Sequence, residues 1–167
     1  MELSLLNSLG ESEAREHLSH CCGSQKWVEF MISARPFKSF EDLINKAEDQ
    51  AKKLERADWL QAFSHHPQIG DIDALKKKFS KGPQWEAGEQ AGVATATDQV
   101  LEELAQGNKD YQKKFGYIFI VCATGKSADE MLAILKSRLA NNPEDELDIS
   151  AGEQRKITKI RLEKLCQ

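Results

Sequence analysis

The chain has 167 residues, enough for one ordinary domain that buries most of the apolar surface its unfolded form would expose. Its 23 basic and 27 acidic residues leave a formal charge of −4, and the basic residues are scattered without an aromatic-interleaved block, which argues against a nucleic-acid partner. The longest apolar stretch, residues 117–123, is far too short to span a bilayer, and the first residues lack the basic start and long apolar run of a secretory signal, so a cytoplasmic protein is expected.

Helix-start signals open the chain. In a capping box a Ser hydroxyl accepts from the amide three residues on, while the side chain there reaches back to the Ser amide. Ser8 with Glu11, Ser39 with Asp42 and Ser127 with Glu130 fit it, and Ser12 fits a plain cap for a helix running through His20. Ser24 is expected to cap a short helix carrying Trp27, Val28, Phe30 and Met31. That helix must end before Pro36, since a proline disfavours helical geometry at the preceding residue, Arg35. From Phe40 to about Trp59, Leu43, Ile44, Ala47, Ala51 and Leu54 recur at three and four, the period of one amphipathic helix. Residues 64–84, with Pro67, Gly70, Gly82 and Pro83, are the least regular part and the natural place for a functional loop.

Helices are expected over residues 86–105 and 108–115, with turns at Gly107-Asn108, Phe115-Gly116 and Thr124-Gly125. Only residues 117–121, YIFIV, have strand-like composition, and one short run without a partner makes no sheet. The Ser127 box opens a helix through Leu139, and Pro143 suits the first position of a last helix whose apolar stripe is read as Ile149, Ile157, Ile160 and Leu165. The fold class is therefore all-α, in one domain. Cys21, Cys22, Cys122 and Cys166 match neither a disulfide framework nor a zinc knuckle and are expected to be reduced thiols filling core space.

Three places invite chemistry. His66 stands between His65 and Pro67, so the proline restricts its backbone, and an imidazole with an ordinary pKa of about 6.5 suits general acid–base work. The plainer alternative is a histidine that closes a helix C-terminus. Zinc is disfavoured because adjacent histidines diverge and no third ligand clusters with them; His17 and His20 share a helix face, but His17 lies among Glu13 and Glu16 on what should be solvated surface. Second, Glu86, Glu89 and Gln90 lie on a stretch rich in small residues (Ala87, Gly88, Ala91, Gly92, Ala94) that would let a ligand come close, and the Gln90 amide can donate and accept together. Third, Arg161 lies between Ile157 and Leu165, inside the apolar stripe, where a guanidinium needs a partner. That partner is either an internal carboxylate, such as Glu153 or one on a neighbouring helix, or a ligand's carboxylate. No dinucleotide, nucleoside-triphosphate or nucleophile-elbow motif is present.

Beyond these single residues, whole blocks resemble one family. They are CCGSQKWVEFMISARPF at 21–37, DWLQAFSHHPQIGD at 58–71, GEQAGV at 88–93, NKDYQKKFGYIFIVCATGKSADEML at 108–132, LANNPEDEL, and the closing KITKIRLEKL. In order and spacing they resemble the 2-oxo-4-hydroxy-4-carboxy-5-ureidoimidazoline (OHCU) decarboxylases. The resemblance implies a single-domain, all-helical bundle of about eight helices, usually a homodimer, needing neither metal nor organic cofactor and converting OHCU to (S)-allantoin in urate degradation. By position it makes His66 and Glu89 catalytic, and it gives Pro67, Glu86, Gln90, Arg161 and the segment Val121, Cys122, Ala123, Thr124 and Gly125 to substrate binding. Glu86 departs from the serine that many members carry there, and a carboxylate near an anionic substrate is expected to turn away or pair with a cation. The tail also lacks an SKL-type peroxisomal address, which suits a bacterial cytoplasmic member. The competing class is a non-catalytic helical interaction module that has kept the family fold.

Overall fold

The computed structural model describes residues 1–67, 72–79 and 90–167, leaving aside the side chains of Lys78 and residues 90–97. Among the described residues there are nine helices and no strand; residues 117–123 run as irregular chain between helices. They fall into two compact units. One comprises residues 1–66, 120–122 and 147–167, the other residues 67–119 and 123–146.

The first unit begins with α1 (Leu3–Ser8), α2 (Glu11–Cys21), α3 (Gln25–Ser33), α4 (Phe40–Ala51) and α5 (Arg56–Ser64), and takes in most of α9 (Pro143–Leu165). Its capping differs in part from expectation. Ser8 ends α1, its hydroxyl donating to the Leu5 carbonyl, while Gly10 caps α2 and Ser12 lies inside that helix. Ser24 does cap α3, accepting from the Trp27 amide. At α4 only half the box forms: Ser39 accepts from the Asp42 amide, but the Asp42 carboxylate takes the Lys38 amide instead. The amphipathic run from Phe40 breaks after Ala51, because Glu55 and Asp58 form a capping box that starts α5 afresh. Leu54, between the two helices, is still buried.

The core of this unit is built from Leu6, Leu18, Trp27, Met31, Leu43, Phe63 and Leu162, none more than 1% exposed. Burying side chains of this size contributes about 1.5–3 kcal/mol each. Polar groups at the core edge are matched in pairs. Trp27 Nε1 donates to the Ala47 carbonyl (3.1 Å), and Asn7 exchanges two 2.8 Å hydrogen bonds with the backbone of Phe37.

The second unit holds α6 (Ile72–Phe79), α7 (Gln90–Phe115) and α8 (Ala128–Leu139), with α6 and α8 both packed on α7. A turn at Gly107 does not occur: α7 runs through it because the glycine faces α8, where an added Cβ would stand 2.6 Å from Leu135 Cδ2. The turns at Gly116 and Gly125 do form, both glycines having positive φ, +83° and +73°. Ser127 and Glu130 make the full capping box of α8. Glu146 is wholly buried here, bound by Arg138 Nε at 2.7 Å, Tyr111 Oη at 2.5 Å and Asn141 Nδ2 at 2.9 Å. A buried carboxylate needs that many donors to offset its lost hydration.

Candidate active site

α9 buries an unexpected face. The stripe read from sequence is exposed or half-buried, Ile149 being 41% exposed, whereas Ser150, Gln154, Thr158 and Leu162 are buried at intervals of four. Three of these are polar, so the helix carries hydrogen-bonding groups into the first unit where a core helix would ordinarily carry methyl groups.

His66 meets that face. The role of closing α5 goes to His65, the C-cap, with the His66 amide donating to the Phe63 carbonyl at 3.2 Å. The His66 ring is half-buried, and its Nε2 lies 2.5 Å from Gln154 Oε1. Gln154 Nε2 donates to Thr158 Oγ1 at 3.1 Å. Burial pushes the His66 pKa below its ordinary value, the Gln154 hydrogen bond opposes that, and the charges of Arg161 and His65 add to the lowering. The shift favours the neutral ring, which can accept a proton.

A further group on α9, Arg161, acts on the same ring through its charge. Arg161 follows Gln154 by seven residues, two turns along one face. It is half-buried, and its Nη1 donates to the His20 carbonyl at 3.0 Å. No carboxylate among the described residues pairs with it, and Glu153 is taken by Lys156 at 2.6 Å. The salt bridge to Glu153 considered from sequence does not form. Glu153 also accepts the Cys122 amide at 3.4 Å, tying residues 121–122 to α9; Val121 is half-buried and Cys122 buried.

Gly23 sets the approach of the α2–α3 connection. It is buried, and a Cβ there would fall 2.4 Å from His65 Cγ and 2.5 Å from His65 Cβ, so only glycine lets this connection lie against the residue preceding His66. Gln154 and Gly23 were not singled out from sequence, and Glu153 was considered only as a partner for Arg161. The one available signal for Gln154 was its place in a line of polar residues four apart.

The remaining expected site residues belong to the second unit or lie outside the described residues. Pro67, Thr124 and Gly125 are exposed and Ala123 is half-buried, all four within the second unit. Gln90 begins α7, its side chain not among those described, and Glu86 and Glu89 lie outside the described residues. Among the described residues no three His, Cys, Asp or Glu side chains are grouped as a metal ion would require. No helix among them is long and apolar enough to cross a membrane.

An all-helical chain whose last helix delivers an amide and a guanidinium to a desolvated histidine defines a class of protein with a polar site built on buried helix faces. Comparison with known proteins makes the class specific. The family model for OHCU decarboxylase matches residues 7–163, and the chain belongs to that family. It is 39% identical over 145 residues to the uric acid degradation bifunctional protein TTL of Arabidopsis thaliana, covering 87% of this chain and 45% of that protein. The chain thus spans less than half the length of that relative. It is 27% identical to the OHCU decarboxylase of Xenopus laevis, covering 97% and 93% of the two chains. Among solved structures, a crystal structure of OHCU decarboxylase in the presence of (S)-allantoin matches with a TM-score of 0.71 and 38% identity, over 89% of this chain and 95% of that one.

Proposed function

We propose that this chain decarboxylates OHCU to (S)-allantoin, with His66 exchanging the proton. The observation that carries the reading is the setting of His66: half-buried, hydrogen-bonded to a buried amide, with burial and the charge of Arg161 both disfavouring its cation. Family membership supplies the substrate.

Loss of CO2 leaves an electron pair on the ring carbon, and in this substrate the adjacent C=N accepts it, its nitrogen taking up a proton, to give an enol-like intermediate. The hydroxyl then gives up its proton to become the carbonyl, and the neighbouring ring carbon takes one, which sets the stereocentre. The tasks left to the protein are to turn the carboxylate out of the ring plane, to stabilise charge as it moves, and to deliver the proton to one face. His66 relays the proton, and Glu89 orients the ring or the substrate hydroxyl. Gln90 and the backbone of Val121, Cys122, Ala123, Thr124 and Gly125 hold the ureido and ring amides, with Pro67 beside them. Arg161 binds the polar edge of the substrate. A grip by Arg161 as strong on the bound carboxylate as on the transition state would not raise the rate.

The family match runs through both units and supports reading the chain as one domain. A homodimer and a cytoplasmic location are proposed on the same likeness.

The test generates the unstable substrate in situ from urate with a urate-oxidising enzyme and the hydrolase that follows it, and records the circular dichroism of the product. Optically active allantoin should form faster with this protein than without. His66→Ala should stay folded and lose about 10²- to 10⁴-fold in rate, the span of lost acid–base catalysis. Racemic allantoin at the uncatalysed rate with the unaltered chain would leave the non-catalytic module as the reading.

A further inference from the structure

A primary amide taken wholly out of water must find partners for both its ends, and Gln154 is 0% exposed. Its two partners are His66 Nε2 and Thr158 Oγ1. Either end of the amide could face either partner by shape alone, and here the oxygen faces His66 and the nitrogen faces Thr158. Its NH2 donates to the Thr158 hydroxyl oxygen, which has lone pairs to accept it. The amide oxygen is then left for His66. An amide oxygen only accepts, so Nε2 carries the ring hydrogen and the lone pair of the neutral imidazole lies on Nδ1.

We infer that Gln154 is a positioning residue for the decarboxylation: it holds His66 in the Nε2–H tautomer, so that Nδ1 is the nitrogen that exchanges a proton with the substrate. The inference rests on the reading of His66 as the acid–base group. It adds a second consequence, because the same oxygen stabilises the imidazolium once it forms. Burial, the Arg161 charge and His65 all disfavour that cation, and the Gln154 oxygen opposes them. Without it the ring is a weaker base and is free to rotate or change tautomer between turnovers.

The experiment compares Gln154→Met, close in shape but without an acceptor, with Gln154→Glu, which keeps an oxygen facing His66. Gln154→Met should lower kcat by about ten- to a hundredfold, the span seen when a metal-bound histidine loses its orienting partner, with KM changed much less. Gln154→Glu should retain more activity than Gln154→Met and move the acid limb of the rate profile to higher pH. A merely structural role predicts the reverse order, since a buried charge disrupts packing more than a thioether does. Nitrogen NMR of the imidazole in the unaltered protein needs no variant: at neutral pH the pyridine-like nitrogen should be Nδ1. An Nδ1–H tautomer, or Gln154→Met with kcat and the His66 titration both unchanged, would overturn the inference while leaving the role of His66 intact. Full activity in His66→Ala would instead remove the reading on which it rests.

Discussion

Burial sets the protonation of His66 before any substrate arrives. Its pKa lies below the ordinary 6.5, chiefly because desolvation disfavours the cation, with Arg161 pressing the same way. The sign for catalysis follows directly. If the neutral ring is the active form of the free protein, kcat/KM stays level as pH falls through 6.5 and declines only at lower pH. A pH–rate profile whose acid limb has its midpoint above 6.5 would contradict a neutral resting base. Stability shifts in the same direction: the unfolded chain protonates this histidine at a pH where the folded chain resists it, so folding weakens as pH falls below about 6.5. His66 was legible because a proline beside a histidine is a local pattern. Arg161 was legible as a charge at an apolar spacing, although its partner was not, since a backbone carbonyl such as that of His20 leaves no trace in residue type. Gln154 and Gly23 were illegible for a different reason: a glutamine inside a helix and a glycine between helices are commonplace until the segments facing them are known.

At the scale of elements, periodicity located the helices better than it oriented them. The last helix was expected to turn Ile149, Ile157 and Ile160 inward, yet its buried line is Ser150, Gln154, Thr158 and Leu162. Hydropathy reads the apolar side as the inner one, and a helix whose inner side holds hydrogen-bonding groups defeats it. Glu146 and Arg138 show the same limit, a charged pair eight residues apart that reads as surface and lies at 0% and 4% exposure. α7 fails differently: Gly107 reads as a breaker, but close packing of Leu135 on that glycine keeps the helix whole. This contact can be tested by a double-mutant cycle. Gly107→Val gains some helix propensity, about 0.5 kcal/mol or less, and loses about 1–3 kcal/mol to overpacking against a fully buried leucine, so destabilisation is expected. Leu135→Ala alone should cost about 2–5 kcal/mol. In the Gly107→Val background it should cost less, because the added methyl groups occupy space the leucine vacates. Strictly additive losses in urea unfolding would mean that the two positions do not touch.

Across the whole molecule, probe residues are divided between the two units in a way that tests whether the chain unfolds as one domain. All four cysteines lie in the first unit, and both tyrosines, Tyr111 and Tyr117, lie in the second. Cys21, Cys22 and Cys122 are buried and Cys166 half-buried, all as free thiols, as the absence of a disulfide pattern suggested. Burial pushes the Cys21 pKa up to about 12, so at pH 8 only about one in 10⁴ of these groups is the reactive thiolate, and labelling requires the first unit to open. The tyrosines are buried among Phe115 and Phe119, with Tyr111 and Phe115 ring centroids 4.6 Å apart, so their ultraviolet absorbance reports loss of packing in the second unit. A single cooperative domain requires the two signals to change together with denaturant. Urea titrations followed by pulsed thiol labelling of Cys21 and Cys22 and by tyrosine absorbance should therefore give the same midpoint and slope. Separated midpoints would divide the chain into two folding units, and an active-site variant such as His66→Ala would then have to be checked for the integrity of each unit before its lost activity was assigned to chemistry.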